Sequence, residues 1–216
     1  MIRTVKKSVW KTLNALKLGG VAQLIAGSAL TENGWFRSFH SKQSVDRIGQ
    51  PIPWCTYPFI HFIEPRLNSQ MNVFEFGCGN STLWYASRIK TIKAVEHDDT
   101  WVKIVRPRLP DNATVVHKSL EAGDQYPTEV RSAGKLYHIV IVDGRRRNLC
   151  ARNAVDCLTP DGIIIWDNTS RVNYQPGMAF LQEQGFRRID FWGMAPIVGE
   201  LSCTSIFYRS GNCLNI

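Results

Sequence analysis

Acidic residues are missing from the start of the chain: Arg3, Lys6, Lys7, Lys11 and Lys17 all precede the first one, Glu32. Over the whole sequence 26 Lys and Arg face 18 Asp and Glu, a formal net charge of +8. A positive field concentrates nucleic acid, an anionic membrane or an acidic small molecule alike, so charge by itself does not choose a partner. Cysteine never occurs as CxxC; Cys55, Cys78, Cys150, Cys157, Cys203 and Cys213 are scattered through 216 residues. A chain of this length folds without disulfide staples, so reduced thiols and a cytoplasmic location are expected. No apolar run approaches the roughly 20 residues needed to span a bilayer. The longest, 18–30, is interrupted by Gly19, Gly20, Gln23 and Gly27. Repeats and low-complexity tracts are absent.

The basic start followed by a weakly apolar stretch imitates a secretory leader, but a helix is the better reading. Ile2, Val5, Val9, Leu13 and Leu16 recur at steps of three and four, which puts them on one helical face with the basic residues mostly elsewhere. This stripe is expected to pack against the rest of the chain or a second subunit. Peripheral contact with an anionic membrane, stripe down, stays open as the alternative.

With 44% hydrophobic residues the chain supports one substantial core and is too short for two full α/β domains. Short β-branched runs alternate with helix-compatible segments from Asn72 onward, the pattern of a parallel sheet covered by helices. Strands are predicted at 73–76, 92–96, 114–117, 138–142 and 163–166, with two more at 187–192 and 204–208. The last pair lacks an obvious long helix between its members, and a short connection requires antiparallel neighbours. The segment 34–65 holds Pro51, Pro53, Pro58 and Pro65 among Trp35, Phe36, Phe39, Trp54, Tyr57, Phe59 and Phe62. Prolines do not sit inside regular ladders, so this reads as an irregular aromatic cap ending in a short helix. The division expected is a cap over 1–66 and a ligand-binding domain over 67–216.

The first predicted strand runs through Glu75 and Phe76 directly into Gly77, Cys78, Gly79, Asn80, Ser81 and Thr82. Gly77 and Gly79 let the backbone turn sharply and approach a ligand, and Ser81 can cap the helix that follows. The second strand ends on Glu96, 21 residues after Glu75, near the spacing at which a carboxylate accepts hydrogen bonds from both ribose hydroxyls. Position 82, where a GxGxxG dinucleotide fingerprint would carry its third glycine, is Thr82.

Glu75, Gly77 and Gly79, read as ExGxG, resemble the first motif of the class I S-adenosylmethionine-dependent methyltransferases. The resemblance implies a Rossmann-like α/β sandwich around a mostly parallel seven-stranded sheet with an antiparallel terminal strand pair. It also implies S-adenosyl-L-methionine as cofactor, bound by Gly79 and Ser81 among others, with Glu75 and Gly77 bordering the methionine moiety, Glu96 on the ribose, and Ser119 with Leu120 flanking the adenine.

Asp143 follows the fourth strand, and Asp167 with Asn168 follows the fifth. Ligands in such sheets bind beyond the carboxyl ends of the strands, so these side chains should face the reactive end of the cofactor, Asp143 touching it. Two carboxylates and an amide oxygen are hard ligands suited to Mg²⁺ or another divalent cation. The arrangement is similar to the metal site of catechol-type and caffeoyl-CoA-type O-methyltransferases. That likeness implies Asp143 and Asp167 as catalytic residues and Asp143, Asp167 and Asn168 as metal ligands. The rival reading of Asp167 and Asn168 is a turn and helix cap. Arg145, Arg146 and Arg147 depart from the likeness by placing cations beside the site. Arg145, Arg147 and Arg171 are candidates to clamp an anionic acceptor through forked donors. Of the strand histidines, His97 is the one placed to take part in chemistry.

The expectation is O-methylation of a small acceptor, by a protein that is either a single chain or a homo-oligomer. Three alternatives stand beside it: a nicotinamide-dependent oxidoreductase, a non-catalytic protein with this fold, and a nucleic-acid methyltransferase. Asp167, Asn168, Thr169, Ser170 in place of a (D/N)PPY-type motif argues against the last.

Overall fold

The computed structural model describes residues 2–216, with the side chains of residues 2–6 and 8 outside the description. Five helices come first: α1 (Ile2–Ala15), α2 (Gly19–Ala26), α3 (Ala29–Glu32), α4 (Trp35–Ser41) and α5 (Tyr57–Ile63). Strands and helices then alternate as β1 (Asn72–Phe76), α6 (Asn80–Ala86), β2 (Thr91–Glu96), α7 (Asp99–Val105), β3 (Ala113–His117), α8 (Gln125–Thr128), β4 (Tyr137–Val142), α9 (Arg147–Ala154), β5 (Leu158–Asp167) and α10 (Gln175–Glu183). Two strands close the order, β6 (Arg187–Gly193) and β7 (Ser202–Tyr208).

The seven strands form one sheet in the order β3-β2-β1-β4-β5-β7-β6. Neighbours from β3 to β5 are parallel, and β7 lies antiparallel between β5 and β6. The expected fold class and antiparallel pair are therefore both present, and β7 is the single reversed strand. The eight-residue connection 194–201 explains the reversal, since it is too short for a parallel crossover.

Burial on both faces accounts for the near-continuous apolar runs of β4 and β5. Side chains alternate across the pleat, so Val73, Ile139, Ile141, Ile163, Ile165 and Ile206 fill one face. Phe74, Phe76, Val140, Val142, Ile164 and Trp166 fill the other. Helices α5 and α6 cover the first face, where Phe59, Ile63 and Tyr85 are fully buried. Cys150 and Ala151 of α9 and Met178 and Leu181 of α10 cover the second. Each large side chain buried in this way contributes about 1.5–3 kcal/mol. All six cysteines are unbridged, in line with the sequence.

The N-terminal arm behaves differently. Of the apolar stripe, Ile2 and Val5 lie outside the described side chains, while Val9 is 52% and Leu16 61% exposed. Leu13 of the stripe is half-buried, so the expected packing on the chain holds there and not at Val9 and Leu16. The physical reason is local: α1 packs on α2, and α2 itself exposes Val21, Leu24 and Ile25. No helix among the described residues is long and apolar enough to cross a membrane.

Candidate active site

A cleft of about 930 Å³ opens at the carboxyl ends of β1, β2, β4 and β5. The pleat decides what lines it. Glu75 shares the parity of Val73, Glu96 that of Ile92, Asp143 that of Ile141 and Asp167 that of Ile165. All four carboxylates thus project from one face of the sheet, the face covered by α5 and α6, and all four line the cleft. The aromatic cap supplies the opposite wall through residues 41–44 and Trp54. It is fastened by Asn80 Nδ2 donating to the Ser44 carbonyl at 2.8 Å and Trp35 Nε1 donating to the Val198 carbonyl at 2.8 Å.

At the β1 end, Gly77 has φ +101°, a conformation that disfavours any side chain, and its N–H donates to the Val95 carbonyl at 2.8 Å. Gly79 has φ 162°, extended backbone open to any residue, so its smallness serves space alone. The indole of Trp101 lies over it, with Cζ2 3.7 Å from where a Cβ would stand. Trp101 Nε1 donates to the Cys78 carbonyl at 2.8 Å.

Ser81 corrects an expectation. The helix starts at Asn80, so Ser81 lies inside the first turn, and its hydroxyl donates to Glu75 Oε1 at 2.5 Å. Thr82 donates to Glu75 Oε2, also at 2.5 Å, and accepts from the Gly79 N–H at 3.0 Å. Thr82, standing where a third glycine is absent, therefore does the capping. Burial pushes the Glu75 carboxyl up to about 8 against the pull of these two hydroxyls, with Asp143 and Glu96 adding to the rise.

Glu96 folds its Oε1 over its own turn, accepting from the N–H groups of His97 at 2.7 Å and Asp98 at 3.0 Å. His97 Nδ1 lies against the same oxygen. The His97 ring is edge-on to Tyr126, with centroids 6.3 Å apart. His97 thus braces Glu96 and, as expected from its place at the end of β2, lines the cleft beside it. Ser119 and Leu120 are not brought to the cleft lining. The Ser119 hydroxyl accepts from the Glu121 N–H at 3.2 Å, and Leu120 packs against the core of the second sheet face.

The three consecutive arginines part company because Arg146 adopts φ +49° ahead of α9. Arg145 is exposed on the cleft lining, as is Arg171. Arg146 turns outward and donates to the carbonyls of Gly123 and Leu120, each at 2.6 Å. Arg147 is buried, at 8% exposure. It donates to Asp143 Oδ1 at 2.9 Å, the Asp167 carbonyl at 2.5 Å and the Gly144 carbonyl at 2.9 Å. Arg147 also lines the cleft, with three of its five N–H donors committed inside the protein.

Asp143 and Asp167 do meet, as expected from neighbouring parallel strands. Burial raises both: Asp167 reaches about 7, with Asp143 adding to the rise and the Thr204 hydroxyl and Arg147 opposing it. The rise at Asp143 is opposed chiefly by Arg147. Thr204, opposite Asp167 in the β5–β7 register, donates to Asp167 Oδ1 at 2.6 Å. Asn168 lines the cleft with φ +57°, its amide nitrogen 3.3 Å from the Ser202 hydroxyl.

This donor set does not fit a divalent metal. A guanidinium fixed by three hydrogen bonds already compensates the Asp143 carboxylate where a metal would have to bind, and Asp167 Oδ1 is occupied by Thr204. Among the described residues no group of three His, Cys, Asp or Glu side chains is placed to hold a metal ion. The cation expected from the sequence is supplied by Arg147 instead.

No protein-family model matches the sequence, and no curated protein does. Solved structures match its fold. A precorrin-6y C5,15-methyltransferase from Geobacter metallireducens GS-15 aligns at 13% identity over 71% of this chain and 87% of its own, with a TM-score of 0.56. A precorrin 8W decarboxylase from Methanobacterium thermoautotrophicum aligns at 19% identity over 71% and 88%, TM-score 0.52. A methyltransferase-like protein from Silicibacter pomeroyi DSS-3 aligns at 18% identity over 74% and 90%, TM-score 0.52. At such identities the likeness speaks for architecture, and with the strand order 3-2-1-4-5-7-6 and the reversed β7 it shows that this chain has the class I methyltransferase fold.

Proposed function

We propose that the protein is an S-adenosylmethionine-dependent methyltransferase acting on an oxygen of a small, anionic acceptor without a metal ion. The observation that carries the reading is the convergence of four carboxylates in one cleft, Glu75 and Glu96 at one end and Asp143 and Asp167 at the other. A nucleoside sulfonium fits the first pair. Glu96 keeps its Oε2 for ribose hydroxyls while Oε1 is held by backbone, and the buried Ser44 hydroxyl on the cap side has no partner among the described residues. About 930 Å³ accommodates such a ligand together with a small acceptor.

S-adenosylmethionine supplies a methyl group made electrophilic by its sulfonium. The residues of the chain then have to orient the acceptor and remove its proton. Asp167, with a pKa of about 7, is poised to take a proton from an acceptor hydroxyl near neutral pH. Arg147 holds the charge of Asp143 in place beside it. Arg145 and Arg171 supply forked donors at the acceptor end and favour a carboxylate, sulfate or phosphate on the substrate. Positioning and deprotonation are sufficient for transfer from a sulfonium, so no further triad is required.

Calorimetry with S-adenosylmethionine, S-adenosylhomocysteine and NADH tests the cofactor. The two sulfur nucleosides should bind, and Glu96→Ala should weaken them by about 1–3 kcal/mol. Binding of NADH alone would overturn the assignment in favour of an oxidoreductase.

A further inference from the structure

We propose that the arm formed by α1 and α2 is a docking surface for an anionic lipid bilayer. Val9, Trp10, Leu16, Val21, Leu24 and Ile25 are each between 40% and 61% exposed. So many exposed large apolar side chains on α1, α2 and the turn between them are of the kind that soluble monomers seldom leave uncovered. Water disfavours each of them, and other helices expose at most one or two such residues apiece, Phe39 on α4, Trp101 and Ile104 on α7 and Leu149 on α9.

Charge identifies the occupant. Lys7 and Lys11 lie one turn apart on the side of α1 away from Val9 and Leu16, and Lys17 follows in the turn before α2, all three exposed. No acidic residue stands before Glu32, so the arm has nothing to offer a basic partner. Trp10 sits between the apolar stripe and the basic side, the level at which an amphipathic ring matches the boundary between acyl chains and headgroups. Apolar side chains entering that boundary with lysines at the level of anionic headgroups satisfy both halves of the pattern. No helix of the described residues is suited to spanning, so the contact is peripheral.

Co-sedimentation of the full chain with lipid vesicles tests the proposal. Vesicles of phosphatidylcholine and phosphatidylglycerol in equal parts should pellet the protein, less so as salt is raised, and pure phosphatidylcholine should not. Lys7→Gln with Lys11→Gln should weaken binding roughly tenfold or more, and Val9→Ser with Leu24→Ser and Ile25→Ser should do the same. All these positions lie outside the cleft. Thermal unfolding and S-adenosylhomocysteine binding should therefore stay as in the unaltered protein, which separates this result from the cofactor assignment. Absence of pelleting, or equal pelleting on both vesicles, overturns the proposal. So does a dimer, seen by sedimentation equilibrium, that the serine variant dissociates, because a second copy would then be the occupant.

Discussion

At the β1–β2 end of the cleft the protein holds its carboxylates through small local donors, and at the β4–β5 end through a buried charge. Glu75 takes two hydroxyls from the next helix and Glu96 takes two N–H groups from its own turn. Asp143 instead faces a guanidinium, and Asp167 takes a hydroxyl from a strand 37 residues away in sequence. The first end is built from neighbours in sequence and leaves acceptor capacity facing the cleft. The second pairs Asp143 with an arginine four residues on, ties that arginine to the Asp167 carbonyl and Asp167 to Thr204 across long stretches of chain, and so brings its own cation. Neutral donors can be lost singly at moderate cost, whereas an ion pair cut in half leaves a charge stranded in low dielectric.

The largest effect should therefore come from Arg147→Ala, which strands Asp143 and frees the Asp167 carbonyl. Chemical denaturation should show a loss of about 3–5 kcal/mol. The exposed Arg145→Ala should stay within about 0.5 kcal/mol. Equal losses in the two variants would erase the distinction between the ends.

The next effect is a pH dependence. Glu75 and Asp167 have folded pKa values of about 8 and about 7, above those of free carboxyls. The folded state therefore keeps protons that the unfolded state has released. The stability they contribute is complete below about pH 4 and is lost as pH rises, through about 7 for Asp167 and about 8 for Glu75. Each group contributes a slope of up to about 1.4 kcal/mol per pH unit. Glu75→Gln keeps a partner for the Ser81 and Thr82 hydroxyls and removes one titration. Urea titrations across this range should show a shallower fall in the variant, and parallel curves would refute the buried-acid account of this end.

The smallest expected effect is none. Addition of Mg²⁺, or of a chelator, should leave the unfolding midpoint unchanged, because a ligand that binds only the folded state would raise it. A midpoint that climbs with Mg²⁺ would mean that Arg147 yields its place to a metal.

The comparison also marks how far the sequence could be read. Every strand was legible within a few residues except the start of β5, where Leu158 begins the strand ahead of the predicted Ile163 and Pro160 and Gly162 obscure the pattern. The pair Glu75 and Glu96 was legible because strand, tight turn and spacing are local facts. Ser81 was misread by one position, since Thr82 makes the bond that caps the helix. At the other end Asp143 and Asp167 were found from their strand ends, but the metal reading did not foresee the buried Arg147 that pairs with Asp143. Nothing in Arg145, Arg146 and Arg147 as letters tells which one turns inward; the left-handed backbone at Arg146 decides it. The pleat parity that sends four carboxylates to one face is in the sequence too, and becomes readable once the strand boundaries are known. Trp101 as a cleft wall and Thr204 as the partner of Asp167 depend on register and tertiary placement, and no local signal marked them.

The insertion of β7 between β5 and β6 bears on the order in which the molecule can be finished. During synthesis the ribosome releases β5 and β6 before the strand that must pass between them. Until it arrives, β5 has a bare edge beyond β4 and Asp167 lacks the Thr204 hydroxyl. The donors that hold Glu75 and Glu96 are all in hand as soon as residue 98 has emerged, whereas Asp167 waits for residues 202–208. A nascent chain stalled before Ser202 should therefore already hold Glu75 and Glu96 in place while Asp167 still lacks its hydroxyl partner, so the last strand completes the β4–β5 wall of the cleft.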